Sequence, residues 1–353
     1  MKTILTFSAV LLLTLLSGCG VPNPGKAAPV LRLPDPAVSP QVAAERARDF
    51  RNATAKLPVR GTWLFPKVFE INFTPTQVVD MVKELGCNRL YCRITSETEL
   101  NDFFQQLLIE AERNQLDCEI VVDLFSFYPR REGNRVISIF RPDSPDLAEM
   151  VERIIEHIGK DRAYATVDGI TVVVNPHRFS NKNLDLPKNL NYMWSNDTFG
   201  PGLDNDQLMK MALKVLHDLP EFPANVQLTV AVPDFYNELA KEGKLSCGRF
   251  SDFVSCRPTP PRLMVIGYGN KPSELVKVIH DELATPGIPP GRVLVLTEMA
   301  PHTSVDAGRM RRRDWADFLR IITHVRQESE QHPAFGGLVV GPLGILKILQ
   351  MEL

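Results

Sequence analysis

From Val59 onward, short runs of β-branched and other apolar residues alternate with stretches of helical period. The clearest run is Ile170 to Val174, five consecutive β-branched residues. Such a segment suits a parallel strand covered on both faces. Asp168-Gly169 opens it, and Asn175-Pro176 closes it where an active-site loop would begin. The other predicted strands are Val59 to Phe65, Asn88 to Thr95, Cys118 to Phe125, Val226 to Val232, Leu263 to Gly267, Arg292 to Thr297 and Gly336 to Val340. Between them the pattern predicts helices over Thr74 to Leu85, Glu97 to Asn114, Ser144 to Ile158, Asp206 to Leu216, Phe235 to Lys241, Ser273 to Leu283 and Arg313 to Ser329, with a short helix from Leu343. Thr74-Pro75 supplies a cap and first turn, and Gly86 a stop. Ser126 to Asp143 and Pro176 to Asp204 read as long loops.

Eight strand–helix alternations in roughly three hundred residues match a single-domain (β/α)8 TIM barrel over residues 58–353. Phe253 to Arg257 also has strand character. It is either strand six itself or, as we prefer, an extended arm leading into Leu263 to Gly267, which keeps the total at eight. No internal repeat is visible beyond the strand–helix rhythm.

The first sixty residues break this pattern. Lys2 and the apolar run Ile4 to Leu16 precede Leu16-Ser17-Gly18-Cys19. The run is too short for a spanning helix. It resembles a bacterial lipoprotein signal, cut after residue 18 so that Cys19 carries lipid. Gly20 stands after the cysteine where an Asp would imply inner-membrane retention, so the resemblance implies the outer membrane. Residues 19–57 then read as a tether rich in Pro and Ala. The tether ends in a short helix, Gln41 to Lys56, either packed on the barrel or part of the stalk.

Composition adds exclusions. The 353 residues are 44% hydrophobic and 23% charged, with a net charge of −2, as in ordinary globular chains. The mixing of charges leaves no basic patch for nucleic acid. Beyond Cys19 remain Cys87, Cys92, Cys118, Cys247 and Cys256, an odd number. Outside the cytoplasm this leaves at least one free thiol. Cys87 with Cys118, and Cys247 with Cys256, are candidate bridges, against buried free thiols. No Cys/His spacing suits zinc, and no phosphate loop or nucleophile elbow is present; neither metal nor cofactor is expected.

In such barrels chemistry sits at the C-terminal strand ends. Those ends bring forward Phe65 to Lys67, Arg93, Asp123, Asn175 with His177, Asp234, Tyr268, Glu298 and Gly341. Arg93 is a candidate for binding a carboxylate or for pairing internally with Asp123 or Glu298. Tyr192, Trp194 and Phe199 are candidates for stacking on sugar rings or for pinning their own loop.

Asp168-Gly169 followed by Asn175 resembles strand four of the chitinase-type (family eighteen) glycoside hydrolases, D-G-x-D-x-D-x-E. In that register Thr171 and Val173 replace the two aspartates, and Asn175 the glutamate. Ile266-Gly267-Tyr268-Gly269 is similar to the family's strand-six M-x-Y-D, and Phe335 to Val340 to its strand eight without the tryptophan. The resemblance implies a glycosidase-like barrel whose acid is lost. Asn175 has no acidic proton to donate, so cleavage by that route loses on the order of several kcal/mol of barrier lowering. The clan of retaining β-glycosidases, with Asn-Glu ending strand four and Glu ending strand seven, is similar at Asn175-Pro176 and Glu298. That likeness implies Glu298 as nucleophile, with Asp123 as the candidate acid. The expected partner is a glycan or peptidoglycan-type polymer.

Overall fold

The computed structural model describes residues 33, 36–124, 127–132, 135–140, 146–174, 176, 204–267, 280, 283–284, 288–298 and 315–351; residues 97, 127–132, 135–140, 146 and 298 are described through their backbone. Eight parallel strands close on themselves. In chain order they are β1 (Val59–Leu64), β2 (Arg89–Arg93), β3 (Asp117–Asp123), β6 (Val167–Val173), β7 (Gln227–Pro233), β8 (Arg262–Gly267), β9 (Val293–Glu298) and β10 (Phe335–Gly341). Each strand pairs with the next around the ring, and β10 closes on β1. This is a (β/α)8 TIM barrel, with all eight strands where the apolar runs stand.

Alternation along each strand builds two apolar shells. Leu90, Cys92, Ile120, Val122, Ile170, Val172, Val230, Val265 and Val295 face outward into the helix layer. Trp63, Tyr91, Val121, Ala231, Met264, Leu294 and Val339 fill the barrel. Each fully buried Val, Leu or Ile side chain contributes roughly 1.5–3 kcal/mol of transfer free energy, so the two shells fix the register.

Several helices start on the caps their sequences supply. α1 (Pro40–Thr54) begins at Ser39, whose Oγ accepts from the Val42 N–H at 3.3 Å. It packs on the barrel through Ala47 and Phe50 and is not a free stalk. α2 (Pro66–Phe69) is a single turn after β1. α3 (Pro75–Glu84) carries a Thr74/Gln77 capping box. α4 (Asp102–Arg113) is capped by Asn101, and a separate 3-10 turn spans Glu97–Glu99. The continuous helix expected from Glu97 therefore breaks where Asn101 takes the Phe104 N–H.

The helix layer continues with α5 (Asp146–Lys160), α6 (Asn205–Asp218), α7 (Phe235–Lys241), α8 (Phe250–Ser255), α9 (Trp315–Ser329) and α10 (Leu343–Met351). The expected helix over Ser273 to Leu283 lies largely outside the described residues.

Two expectations are corrected. Phe253 to Arg257 is neither strand nor extended arm: Phe250–Ser255 is helical, burying Phe250, Phe253 and Val254 on one side. That spacing of three and four is a helical stripe. Arg257 beyond it donates to the carbonyls of Leu216 at 2.9 Å and Leu219 at 2.7 Å, closing the end of α6. The segment read as a loop from Ser126 holds an antiparallel pair, β4 (Phe127–Glu132) and β5 (Arg135–Phe140). Its alternation is obscured by Pro129 and paired arginines.

The described cysteines are all free thiols, so neither candidate bridge forms. Cys87, Cys92 and Cys118 are buried, and burial pushes the Cys87 thiol up to about 12. Among the described residues no helix is long and apolar enough to cross a membrane.

Gly337 marks the irregular pairing of β10, where the register shifts between Phe335 and Gly337. Its φ is +144°, and a Cβ there would stand 2.2 Å from the Val59 carbonyl oxygen. Gly337→Ala is expected to cost about 2–3 kcal/mol, from strained φ plus overlap with immovable backbone. A urea midpoint unchanged from wild type would overturn this.

Candidate functional site

The C-terminal ends of β1, β2 and β3 bring Trp63, Phe65, Arg93 and Asp123 together. Inward residues recur every second position, so Arg93 and Asp123 end two neighbouring strands on the interior side. An Arg93 Nη donates to Asp123 Oδ1 at 2.6 Å, with the two side chains 8% and 6% exposed. The guanidinium lies 5.2 Å from the Phe65 ring centroid and 5.7 Å from that of Trp63. Desolvated cation–π contacts of this kind contribute up to about 2 kcal/mol.

Gly341, ending β10, makes room for this arrangement. A Cβ there would come within 2.6 Å of the Trp63 ring. Trp63 of β1 therefore occupies the space beside the end of strand eight.

A second pair lies on the rim above β1 and β2. Lys67 Nζ donates to Glu99 Oε1 at 2.6 Å and to Thr95 Oγ1 at 2.9 Å. Glu99 also accepts from the Thr95 N–H at 3.2 Å and from the Thr95 hydroxyl. These contacts tie the turn after β2 to the turn after β1. Asp234 is buried at the head of α7, its N–H donating to the Ile266 carbonyl at 3.1 Å.

Of the sequence candidates, Arg93 and Asp123 meet each other, the internal alternative for Arg93. Glu298 is the last residue of β9, its backbone beside Gly341. β3 and β9 stand four strands apart in either direction around the ring of eight, directly across the barrel. Cys19, Asn175, His177, Tyr192, Trp194, Phe199 and Tyr268 lie outside the described residues. Thr171 and Val173 do take inward positions: the Thr171 hydroxyl donates to Glu119 at 2.6 Å, and Val173 packs against the interior apolar cluster.

The sequence reading missed the most highly connected carboxylate among the described residues. Glu119, fully buried at the N-terminal end of the barrel, accepts from Arg89 at 2.9 Å and from Arg262 through Oε1. Its Oε2 accepts from Thr171 at 2.6 Å and Thr229 at 3.0 Å. Burial alone would raise its pKa, but Arg262, Arg89 and the two hydroxyls outweigh it and hold the carboxyl below its usual range.

Arg89 also takes Asp168 bidentately, at 2.6 and 2.7 Å, and Asp117 at 3.0 Å. Asp168, the opening residue of the D-G pair, thus braces the barrel floor. Its burial outweighs Arg89 and raises its pKa. The signal was present in Cys118-Glu119-Ile120-Val121-Val122-Asp123: Glu119 shares the inward period-two set with Val121 and Asp123. A charge in the middle of a buried strand requires a partner inside.

Among the described residues, no group of three or more His, Cys, Asp or Glu converges on a metal. No family model and no curated protein matches the chain. Solved structures with a similar backbone include a GH18 chitinase from Pseudoalteromonas aurantia, at TM-score 0.46 and 13% identity, covering 80% of this chain and 93% of that one. Fungal beta-1,4-galactanases match at TM-score 0.45 and 13% identity, over 81% of this chain and 89% of theirs. A bacterial fucosidase matches at TM-score 0.38 and 13% identity, over 91% and 74%. These are likenesses of backbone alone; the barrel stands on its own strand order and pairing.

Proposed function

We propose that this chain is a lipid-anchored, extracytoplasmic, glycosidase-like barrel that holds a glycan or peptidoglycan-type polymer of the cell envelope at its C-terminal mouth without cleaving it. The observation that carries this reading is the state of the interior positions where two carboxyls would work. Thr171 donates to Glu119, Val173 is apolar, and Asp123 accepts from Arg93 at 2.6 Å. Two-carboxylate glycoside cleavage needs an acid and a base or nucleophile facing each other across about 5–9.5 Å. Asp123 is turned to its neighbouring strand instead.

The purified full chain in detergent, offered a panel of aryl glycosides, is expected to give no turnover above buffer. Soluble peptidoglycan fragments are expected to bind it in calorimetry. Robust cleavage of any aryl glycoside overturns the reading. Flat calorimetry and unchanged melting across all fragments would favour a purely structural lipoprotein.

One observation favours a second reading, an active hydrolase: Glu298 stands at the C-terminal end of β9, where a nucleophile belongs. In that case Glu298→Gln and Asp123→Asn would each abolish turnover. The binding-only reading expects them to leave a zero rate unchanged.

A further inference from the structure

On the opposite side of the molecule from the mouth, two histidines far apart in sequence meet. His280 Nδ1 and His332 Nε2 are 2.6 Å apart, with the rings edge to face at 4.8 Å between centroids. His280 belongs to the segment before β9, and its carbonyl accepts from the Ala284 N–H at 3.0 Å. His332 sits in the turn joining α9 to β10, held by its own N–H to Ser329 O at 3.0 Å. The other ring nitrogen of His280, Nε2, lies 3.5 Å from Glu328 Oε2 on α9.

His280 Nε2 faces the Glu328 carboxylate at 3.5 Å, so the tautomer with its proton on Nε2 is the one that carboxylate favours, and it turns the Nδ1 lone pair to His332. A carboxylate behind an imidazole is the arrangement that orients metal-ligating histidines and raises their basicity. The separation of 2.6 Å then needs one proton, carried on Nε2 of His332.

We propose that His280 and His332 form a two-histidine site for a borderline divalent ion, Zn2+ or Cu2+, with Glu328 orienting His280 and water filling the remaining positions. Imidazole nitrogen suits both ions. On binding, His332 moves its proton from Nε2 to Nδ1 and offers the freed lone pair, while His280 keeps its proton toward Glu328. Tetrahedral ligation at 2.0–2.1 Å widens the N···N distance to about 3.3 Å. The ion would tie the segment before β9, α9 and the turn into β10 together, so it stabilises the fold wherever it binds.

The test uses the full chain in detergent, purified without a polyhistidine tag. ZnCl2 and CuSO4 are titrated calorimetrically near neutral pH, with MgCl2 as the control. Wild type is expected to bind one Zn2+ or Cu2+ and no Mg2+, and to melt higher with Zn2+. His280→Ala and His332→Ala are each expected to lose the heat and the melting shift. Glu328→Gln is expected to bind about tenfold more weakly while keeping the stoichiometry.

Nitrogen-15 imidazole spectra of wild type should show His280 Nδ1 and His332 Nε2 moving on zinc addition. This readout does not depend on any variant folding. Absence of saturable binding up to millimolar metal overturns the proposal. So does unchanged affinity in His280→Ala, or zinc shifts confined to other histidines.

Discussion

Replacing Glu119 by alanine is expected to remove about 3–5 kcal/mol from the stability of the barrel, the usual cost of breaking a buried ion network from one side. The carboxylate is fully buried and accepts from two guanidiniums and two hydroxyls. Without it Arg89 retains Asp117 and Asp168. Arg262, only 11% exposed through its side chain, retains the Thr229 hydroxyl at 3.1 Å and loses its carboxylate. A buried cation is left with half its partners inside a shell of apolar strands. The measurement is the urea midpoint at constant slope; a loss under about 1 kcal/mol would mean the network is solvated and weak.

The same group sets an acid limit. Glu119 is held below its ordinary carboxylate value in the folded chain. The stability it confers is therefore fully present above the unfolded value, near 4.5, and is lost as pH falls through the lower folded value. Asp168, raised by burial, acts with the opposite sign in that region. The informative quantity is thus the difference between wild type and Glu119→Gln, which should shrink on acidification below the ordinary glutamate range. A difference independent of pH would show that Glu119 contributes shape and not charge.

The barrel was legible in the chain because each strand is buried on its outer face by helices and on its inner face by other strands. Ile170 to Val174 and Val230 to Val232 are apolar at every position but one for this reason. Helix starts were legible where a side chain and a proline act locally, as at Thr74-Pro75. The α8 helix was misread because its six residues are too short a period to decide between helix and strand, and its start is capped by Asp252 reaching back to the Gly248 and Arg249 N–H groups, not by a Ser, Thr, Asp or Asn ahead of it.

The mouth was legible only as a set of strand ends. That Arg93 turns to Asp123, and that Gly341 admits Trp63, depends on which strands are neighbours around the ring. The Glu119 network joins residues up to 143 positions apart. No local pattern announces such pairings; only the period-two placement of a lone charge hints at them.

The Arg93–Asp123 pair is expected to behave as an interior brace, and a three-variant series decides it. Arg93→Ala should cost about 3–5 kcal/mol, because Asp123, 6% exposed, loses its guanidinium and Trp63 and Phe65 lose the cation between them. Asp123→Ala should cost a similar amount by taking the carboxylate away from a buried guanidinium. The double variant Arg93→Met/Asp123→Leu removes both charges and returns apolar volume. It is expected to lie within about 1–2 kcal/mol of wild type, since well-packed apolar replacements of buried pairs are often neutral or better. A double variant that refolds to near wild-type stability, yet no longer binds envelope glycan fragments, would assign the pair to the ligand as well as to the fold. If either single variant costs under about 1 kcal/mol, the pair is not an interior brace. The case against an acid at the end of strand three would then fall with it.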